Sequence, residues 1–240
     1  MRCYGRLFGF LTIAAYLLTP IDFCTAESGE STRVTDEKQH VRKVRGGYPY
    51  REKSDYILWE LDLKLGDVVA DIGAGDGFWA EKMAKAVGPN GIIYAGEVSQ
   101  DKVDKMKKRF ADVPQVKPYL CPTDGPGLEE NTCDLVFLSK TYHHLDKDGQ
   151  VDYLDDLRSV VKPTGRLVVI EHYQELATGR MKDHSWSPGL LTQQAEQGGW
   201  ILVRSELITG THHFMAIFVQ KELFGIKEPK KELVGASKAD

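Results

Sequence analysis

Short runs of apolar residues alternate along this chain with stretches that suit helices. Continuous apolar runs are typical of strands buried on both faces of a parallel sheet, and they occur at residues 68–72, 92–95, 116–120, 134–139 and 166–171. The intervening helical stretches are residues 78–87, 99–110 and 149–161. This alternation predicts an α/β fold with a doubly wound, Rossmann-like and mostly parallel sheet.

Two further apolar runs close the predicted fold. Residues 201–207 and 214–220 are joined by a short loop, and strands joined so closely pair antiparallel. A helix is predicted to begin at Ser187 and Pro188, because proline is favoured at the first helical position after a capping residue. Another helix is predicted at residues 55–63, before the first strand. The sheet is therefore expected to end in an antiparallel hairpin.

Length and composition indicate one folded domain with an ordinary surface. The 240 residues are 42% hydrophobic and 28% charged, which is enough for one sizeable core. The formal net charge is −4, so no basic surface for nucleic acid is indicated and no nucleic-acid partner is expected. These quantities leave the oligomeric state open.

The first residues have the layout of a secretory signal peptide. Arg2 and Arg6 precede an apolar run at residues 7–18, and small residues lead to a cleavage position after Ala26. We therefore expect an exported protein, either periplasmic or secreted. The alternative is an uncleaved membrane anchor, although the run is short for a membrane span. Residues 7–18 are also a candidate for transient membrane contact.

This N-terminus divides the chain into four parts: a signal peptide or anchor, a flexible linker, a folded domain and a mobile charged tail. Their predicted bounds are residues 1–26, 27–45, 46–221 and 222–240. Cys121 and Cys133 lie in the domain, at opposite ends of predicted parallel strands. We expect them to be buried thiols and not a disulfide.

The first predicted strand runs into a glycine-rich turn. Asp71 lies in the strand, and Gly73, Gly75 and Gly77 follow at alternate positions before a helix. Glycines allow tight backbone geometry and keep side chains out of the path of a ligand. Glu97 follows the next apolar run, where a carboxylate can accept hydrogen bonds from both hydroxyls of a ribose. The turn and the acid together predict a nucleoside-binding site.

The turn resembles the first motif of a known enzyme family. Asp-Ile-Gly-Ala-Gly-Asp-Gly, at residues 71–77, is similar to that motif in class I S-adenosylmethionine-dependent methyltransferases, and the resemblance extends from about residue 55 to residue 219. A dinucleotide site would more often have G-x-G-x-x-G, with a helix N-terminus facing a pyrophosphate. Here the third glycine comes one position early, and S-adenosylmethionine has no phosphate. The resemblance implies the class I methyltransferase fold, S-adenosylmethionine as cofactor and a small-molecule acceptor.

The resemblance also implies which residues bind the cofactor. They come from the glycine turn and from the ends of the second, third and fourth strands. The set is Asp71, Gly73, Ala74, Gly75, Gly77, Glu97, Val98, Asp124 and Ser139. In the family an acid after the third strand bonds the adenine amino group, and this role falls on Asp124; the alternative is that Asp124 stabilises a turn.

Polar side chains follow the fourth and fifth predicted strands, where ligands collect in such sheets. We assign to the acceptor end of the pocket Tyr142, His143, His144 and His172. His143 and His144 are candidate bases, but the catalytic residue stays open because methyl transfer from a sulfonium depends mainly on positioning. The aromatic turn at residues 48–51 is either a lid over the cofactor or ordinary packing.

Six of the seven histidines, all except His40, fall in loops that are expected to converge on one face of the domain. They form either a polar rim that supplies a base or a metal site, or a set of individually satisfied loop residues. We favour the second interpretation for most of them and expect no metal, because the chain has neither H-x-x-x-H nor C-x-x-C spacing.

Three functions are compatible with this pattern. The first is methyl transfer from S-adenosylmethionine to a small-molecule acceptor. The second is a non-catalytic exported binding protein that reuses the fold, because S-adenosylmethionine is made in the cytosol and is scarce beyond the membrane. The third, which we favour least, is a nucleotide-dependent oxidoreductase, whose second half would normally continue in βα units instead of a hairpin.

Overall fold

The structure, a computed structural model, describes residues 49–177 and 183–226. The predicted signal peptide or anchor, the linker and Tyr48 lie outside the described residues, as do residues 227–240 of the predicted tail. Within the two described ranges, every helix is too short or too polar to cross a membrane.

Helices and strands alternate as the apolar pattern predicts. The described residues form the helices α1 (Ser54–Leu61), α2 (Phe78–Val87), α3 (Gln100–Arg109), α4 (Gln150–Val160) and α5 (Pro188–Gln197). They form the strands β1 (Val68–Ile72), β2 (Ile92–Glu97), β3 (Val116–Leu120), β4 (Cys133–Ser139), β5 (Val161–Tyr173), β6 (Ser185–Trp186), β7 (Trp200–Leu207) and β8 (His213–Gln220). Short 3₁₀ helices include Pro49–Lys53, Tyr142–His144 and Lys221–Phe224.

The strands form one sheet in the order β3-β2-β1-β4-β5-β8-β7, and β6 pairs with β5. From β3 to β5 all neighbours in this order are parallel. β8 is antiparallel to both β5 and β7, so the hairpin closes the sheet. The predicted doubly wound, mostly parallel sheet with a closing antiparallel hairpin is confirmed.

The structure adds two features that the apolar pattern does not indicate. β5 begins at Val161, which pairs with Cys133 beyond a register shift in the β4–β5 ladder. The two-residue strand β6 pairs parallel with the end of β5, where Ser185 lies opposite His172. β6 therefore brings His184, the residue directly before it, close to the carboxyl end of β5.

Two apolar clusters pack on the sheet and form the core. Val69 of β1 belongs to the first cluster and Ala70 to the second, because successive side chains of a strand point to opposite faces. Met83 of α2 packs in the first cluster and Leu157 of α4 in the second. With both faces covered, the carboxyl ends of the central strands form a fixed platform.

Cys121 and Cys133 are free, buried thiols, as predicted. Burial raises the pKa of both, and that of Cys133 to about 12. A thiol is nucleophilic only as the thiolate, so neither cysteine is poised for chemistry at neutral pH.

Regular structure continues past residue 222, where the tail was expected to begin. Lys221–Phe224 is a 3₁₀ helix that follows β8 directly. Glu222 forms an ion pair with Arg158 of α4. These contacts attach the first residues of the predicted tail to the domain.

Candidate functional site

A cavity of about 960 Å³ lies at the carboxyl ends of the parallel strands. Ile72, Glu97 and Ser139, the last residues of β1, β2 and β4, all line it. Further lining comes from the glycine turn, the loop after β3, α4 and the 3₁₀ helix before α1. Ligands of open α/β sheets bind at this edge, and small-molecule sites have volumes of roughly 300–1,000 Å³.

The glycine turn owes its shape to left-handed backbone. Gly73 and Gly75, with φ of 76° and 61°, adopt the conformation that favours glycine. A β-carbon on Gly73 would lie 2.3 Å from Oγ1 of Thr141, so this glycine permits close contact with the segment after β4. At Gly75, the nearest atom to such a β-carbon would be the Gly73 carbonyl oxygen, at 3.9 Å. Gly73, Ala74 and Gly75 all line the cavity, so bare backbone at Gly75 leaves space for a ligand.

Two predicted cofactor contacts, Asp71 and Gly77, do not line the cavity. Asp71 is 1% exposed, and its carboxyl group bonds the backbone of Ala80 in the first turn of α2. Burial raises the pKa of Asp71 to about 7. A β-carbon on Gly77 would lie 2.6 Å from the ring of Phe110. Both residues therefore shape the turn by packing inside the domain, and their assignment as cofactor contacts stays a prediction.

Glu97 ends β2 at the cavity wall and is only 4% exposed. Its Oε2 accepts a hydrogen bond from the Gly75 amide at 3.0 Å, and its Oε1 accepts one from the Ser99 amide at 3.2 Å. Lys102 Nζ donates to Oε2 at 3.3 Å. Because a carboxylate offers about four acceptor positions, this group is oriented by the glycine turn and can still accept from a ligand hydroxyl.

The 3₁₀ helix Pro49–Lys53 forms one side of the cavity. The hydroxyl of Tyr50, a residue that is 2% exposed, lies 3.1 Å from Ser139 Oγ. Arg51 donates two hydrogen bonds to the Asp76 carboxylate of the glycine turn, at 3.1 and 3.2 Å. Tyr50 and Arg51 both line the cavity. The 3₁₀ helix is therefore packed into the domain and also covers one side of the cavity.

Three more predicted contacts, Val98, Asp124 and Ser139, line the cavity. The cavity is also lined by three residues of α4 that no sequence motif indicates, Asp152, Tyr153 and Asp156. Asp152 and Asp156 are four residues apart and thus share one side of the helix. This i, i+4 spacing is visible in the sequence, but acidic residues at that spacing are equally common on solvent-exposed helix faces.

Lys140 is another cavity residue that the sequence analysis misses. Its φ of 57° is uncommon for a residue with a side chain. Its amide donates to the Ile170 carbonyl at 2.8 Å, which holds this turn at the end of β4. Burial lowers the pKa of the Lys140 ammonium to about 8, against the opposing effect of Glu171. This amine can therefore exchange a proton near neutral pH.

His143 and His144 line the cavity from the 3₁₀ helix that follows β4. His143 Nδ1 lies 2.7 Å from Glu171 Oε2, and the His143 amide donates to Oε1 at 3.2 Å. The Glu171 side chain is 0% exposed and that of His143 is 4% exposed. His184 completes a group with them, its ring centroid 5.2 Å from that of His143.

Two predicted acceptor contacts, Tyr142 and His172, do not line the cavity. Tyr142 is fully buried, and its hydroxyl donates to Gln194 Oε1 of α5 at 3.0 Å. His172 is stacked against His213, its cross-strand neighbour in β8, with the ring centroids 4.0 Å apart. Each side chain contacts an element that follows much later in the chain, and the assignment of both residues to the acceptor end stays a prediction.

The buried pair of His172 and His213 predicts a pH effect on stability. Burial lowers the pKa of His172 to about 4 and that of His213 to about 3, whereas a histidine in an unfolded chain has a pKa of about 6.5. Between these values the unfolded chain binds more protons at these sites than the folded chain does. The free energy of unfolding therefore falls as the pH falls below about 6.5.

His213→Gln removes one of these groups. The stability advantage of the wild type over the variant is expected to shrink by about 1 kcal/mol for each pH unit below 6.5. Urea unfolding of both proteins at pH values of about 7.5, 6 and 5 measures the difference. A difference that does not change with pH would show that His213 titrates normally in the folded domain.

Comparisons with known proteins, like the geometry of the cavity, indicate similarity to methyltransferases. Residues 69–165 match the family model of a methyltransferase domain. The chain is 28% identical over 138 residues to an uncharacterized 37.1 kDa protein in transposon TN4556 of Streptomyces fradiae, which covers 58% of this chain and 39% of that protein. It is 26% identical over 123 residues to the ubiquinone/menaquinone biosynthesis C-methyltransferase UbiE of Burkholderia mallei, with 51% of this chain and 50% of that protein covered. The chain spans half or less of the length of these curated relatives.

Solved structures share the fold. A SAM-dependent methyltransferase from Aquifex aeolicus superposes with a TM-score of 0.65 at 26% identity, covering 71% of this chain and 92% of that one. The PH0226 protein from Pyrococcus horikoshii has a TM-score of 0.61 at 14% identity, covering 73% and 93% of the two chains, and supports the fold alone. The domain therefore has the fold of class I methyltransferases, and residues 69–165 are similar to a methyltransferase domain.

Proposed function

We propose that this protein transfers the methyl group of S-adenosylmethionine to a small-molecule acceptor that binds in the same cavity. The cavity itself is the observation that supports this most strongly, because it combines bare glycine backbone, an oriented carboxylate and a volume of about 960 Å³. Small-molecule sites extend over roughly 300–1,000 Å³, so a cavity of this size has room for a small acceptor beside the cofactor.

The cavity residues fit the cofactor. Glu97 supplies the acceptor oxygens that ribose hydroxyls require, and the Gly75 amide orients its carboxylate. The backbone from Gly73 to Gly75 offers a surface without a bulky side chain. Asp124 lines the cavity beyond β3 and is the candidate partner of the adenine amino group. Asp71 and Gly77 contribute by shaping the turn.

Methyl transfer asks the protein for positioning more than for covalent help. When bound, S-adenosylmethionine supplies a methyl group that is already activated on a sulfonium. The chain must hold the acceptor in line with that group and exclude water, and Tyr50 and Arg51 cover one side of the cavity. Lys140, His143 and His144 are the candidates for taking a proton, a step needed only for acceptors that are protonated at neutral pH.

A screen for methyl uptake tests this function. The purified protein is incubated with S-adenosylmethionine labelled in the methyl group and with phenols, thiols, amines and carboxylates in turn. We expect label in the product of at least one class and none with heat-denatured protein. Absence of transfer together with absence of S-adenosylmethionine binding would refute the proposal. Neither alternative, a non-catalytic exported binding protein or a nucleotide-dependent oxidoreductase, gains support from the comparisons.

Arg51→Ala is expected to weaken S-adenosylmethionine binding about tenfold, which corresponds to about 1.4 kcal/mol. The change removes a guanidinium that can pair with the carboxylate of S-adenosylmethionine, and also the ion pair with Asp76 that anchors the 3₁₀ helix on the glycine turn. Asp76→Asn is the matched control, because it weakens the same ion pair at a residue outside the cavity lining. Calorimetric titration compares the two variants. Equal losses of affinity in the two variants would mean that Arg51 acts only by anchoring the 3₁₀ helix on the glycine turn.

We also propose that the protein is exported and cleaved near Ala26. The support is the order of Arg2 and Arg6, the apolar run at residues 7–18 and the small residues that follow. Intact-mass analysis of protein taken from its native host is expected to give a product that lacks residues 1–26. A cytosolic product that still begins at Met1 would refute export and would also remove the problem of cofactor supply.

A further inference from the structure

Three histidines from two separate segments lie close together, and two of them line the cavity. His143 and His144 follow β4, and His184 directly precedes β6. Each offers a ring nitrogen, and the three nitrogens lie within 4.8 Å of one another. The ring centroids of His143 and His144 are 4.0 Å apart, and those of His144 and His184 are 6.0 Å apart. Three imidazoles at this separation can share one ion.

A buried carboxylate positions the first of these rings. Glu171 is 0% exposed, and its Oε2 lies 2.7 Å from Nδ1 of His143. A carboxylate at Nδ1 fixes the tautomer in which Nδ1 carries the proton, so Nε2 keeps its lone pair. Metal-ligating histidines almost always have such a partner on the second ring nitrogen. Glu171 is fixed in turn by the strand pairing of β5 with β8, opposite Phe214.

We propose that His143, His144 and His184 form a binding site for one divalent transition-metal ion of the zinc class. Neutral imidazole is a preferred ligand of zinc and its neighbours in the first transition row. Three protein ligands leave a fourth position open, as in sites that bind an exchangeable ligand. His143 and His144 line the cavity, so the ion would lie at its edge and Glu171 would act as a positioning residue.

The proposal revises the expectation of no metal. That expectation depends on the spacing of ligands within one segment, such as H-x-x-x-H. Here the third ligand comes from a distant segment, and the short pairing of β6 with β5 next to His172 brings it into place. Adjacent histidines alone are a weak signal, and the contribution of His184 is visible only in the folded chain.

Cobalt(II) is the probe for this site, because its visible absorption reports coordination by nitrogen ligands. The untagged protein is freed of metal with a chelator and titrated with cobalt(II), and zinc is then added in competition. We expect an absorption band that saturates at one cobalt per chain and disappears when zinc is added. His184→Ala should raise the cobalt dissociation constant at least about tenfold, and Glu171→Gln about 10–100-fold with the band retained.

Control variants separate this site from adventitious histidine binding. His212→Ala changes an exposed histidine outside the group, and His40→Ala changes one outside the described residues. Both are expected to bind cobalt like the wild type. His184 is exposed, so its variant should fold, and circular dichroism checks this for every variant. No saturable band in the wild type, or an unchanged affinity in His184→Ala, would overturn the proposal, whether or not the protein binds S-adenosylmethionine.

Discussion

Gly75→Val is expected to raise the dissociation constant for S-adenosylmethionine at least about 100-fold, or about 2.8 kcal/mol. Gly75 lines the cavity, and a β-carbon there would have its nearest protein contact at 3.9 Å, so the added side chain would extend into ligand space. Its φ of 61° adds backbone strain of roughly 1–2 kcal/mol, because this conformation is unfavourable for residues with a β-carbon.

Gly66→Val is the control that separates backbone strain from obstruction of the ligand. Gly66 has a φ of 91°, and a new β-carbon there would lie more than 4 Å from every described heavy atom outside residues 65–67. It lies before β1 and outside the cavity lining, so its variant carries the strain without obstructing a ligand. Thermal unfolding should show a loss of stability in both variants, whereas calorimetry should show a loss of affinity only in Gly75→Val. If both variants bound S-adenosylmethionine with equal affinity, the cofactor site would not include Gly75.

Glu97→Ala is expected to weaken S-adenosylmethionine binding by about 1–3 kcal/mol, the range for hydrogen bonds to a charged group. The substitution removes the acceptor for ribose hydroxyls and releases the amide of Gly75, which Glu97 holds at 3.0 Å. Lys102→Ala is the matched control, because it removes the ion pair but leaves the carboxylate. The Lys102 side chain lines the cavity but is 53% exposed, so its loss should weaken binding less than the loss of Glu97. Binding like the wild type in Glu97→Ala would contradict the assignment of the ribose site.

The parts of the site that the sequence predicts well are those formed by local backbone. Gly73 and Gly75 follow a strand and need positive φ, and the chain order alone places them at its carboxyl end. Glu97 ends the next strand, which is parallel to the first. These positions follow from the alternation of strand and helix and from the edge at which ligands bind.

Side-chain direction explains why some predicted site residues lie outside the cavity lining. Asp71 and Gly77 belong to the same motif as Gly75, yet they pack against α2 and Phe110 because the motif turns through the interior as well as past the cavity. Tyr142 is held by Gln194 of α5. Which face a residue takes depends on these later elements, and no local pattern near Tyr142 indicates them.

The positions of the histidine side chains also depend on elements that are distant in the sequence. Chain order predicts that their loops gather near one edge of the sheet, and the structure brings His143, His144 and His184 together there. His172 and His213 are instead stacked on each other in the interior of the domain. The division depends on the register of β5 with β6 and β8, which the apolar pattern cannot specify because β6 has only two residues.

Calorimetric titration of the purified wild-type protein with S-adenosylmethionine tests the central claim most directly. We predict saturable binding at one site per chain, with much weaker binding of NAD, because the glycine turn lacks the dinucleotide pattern. Absence of a binding signal with S-adenosylmethionine, or tighter binding of NAD, would contradict the assignment of this cavity to a methyl donor.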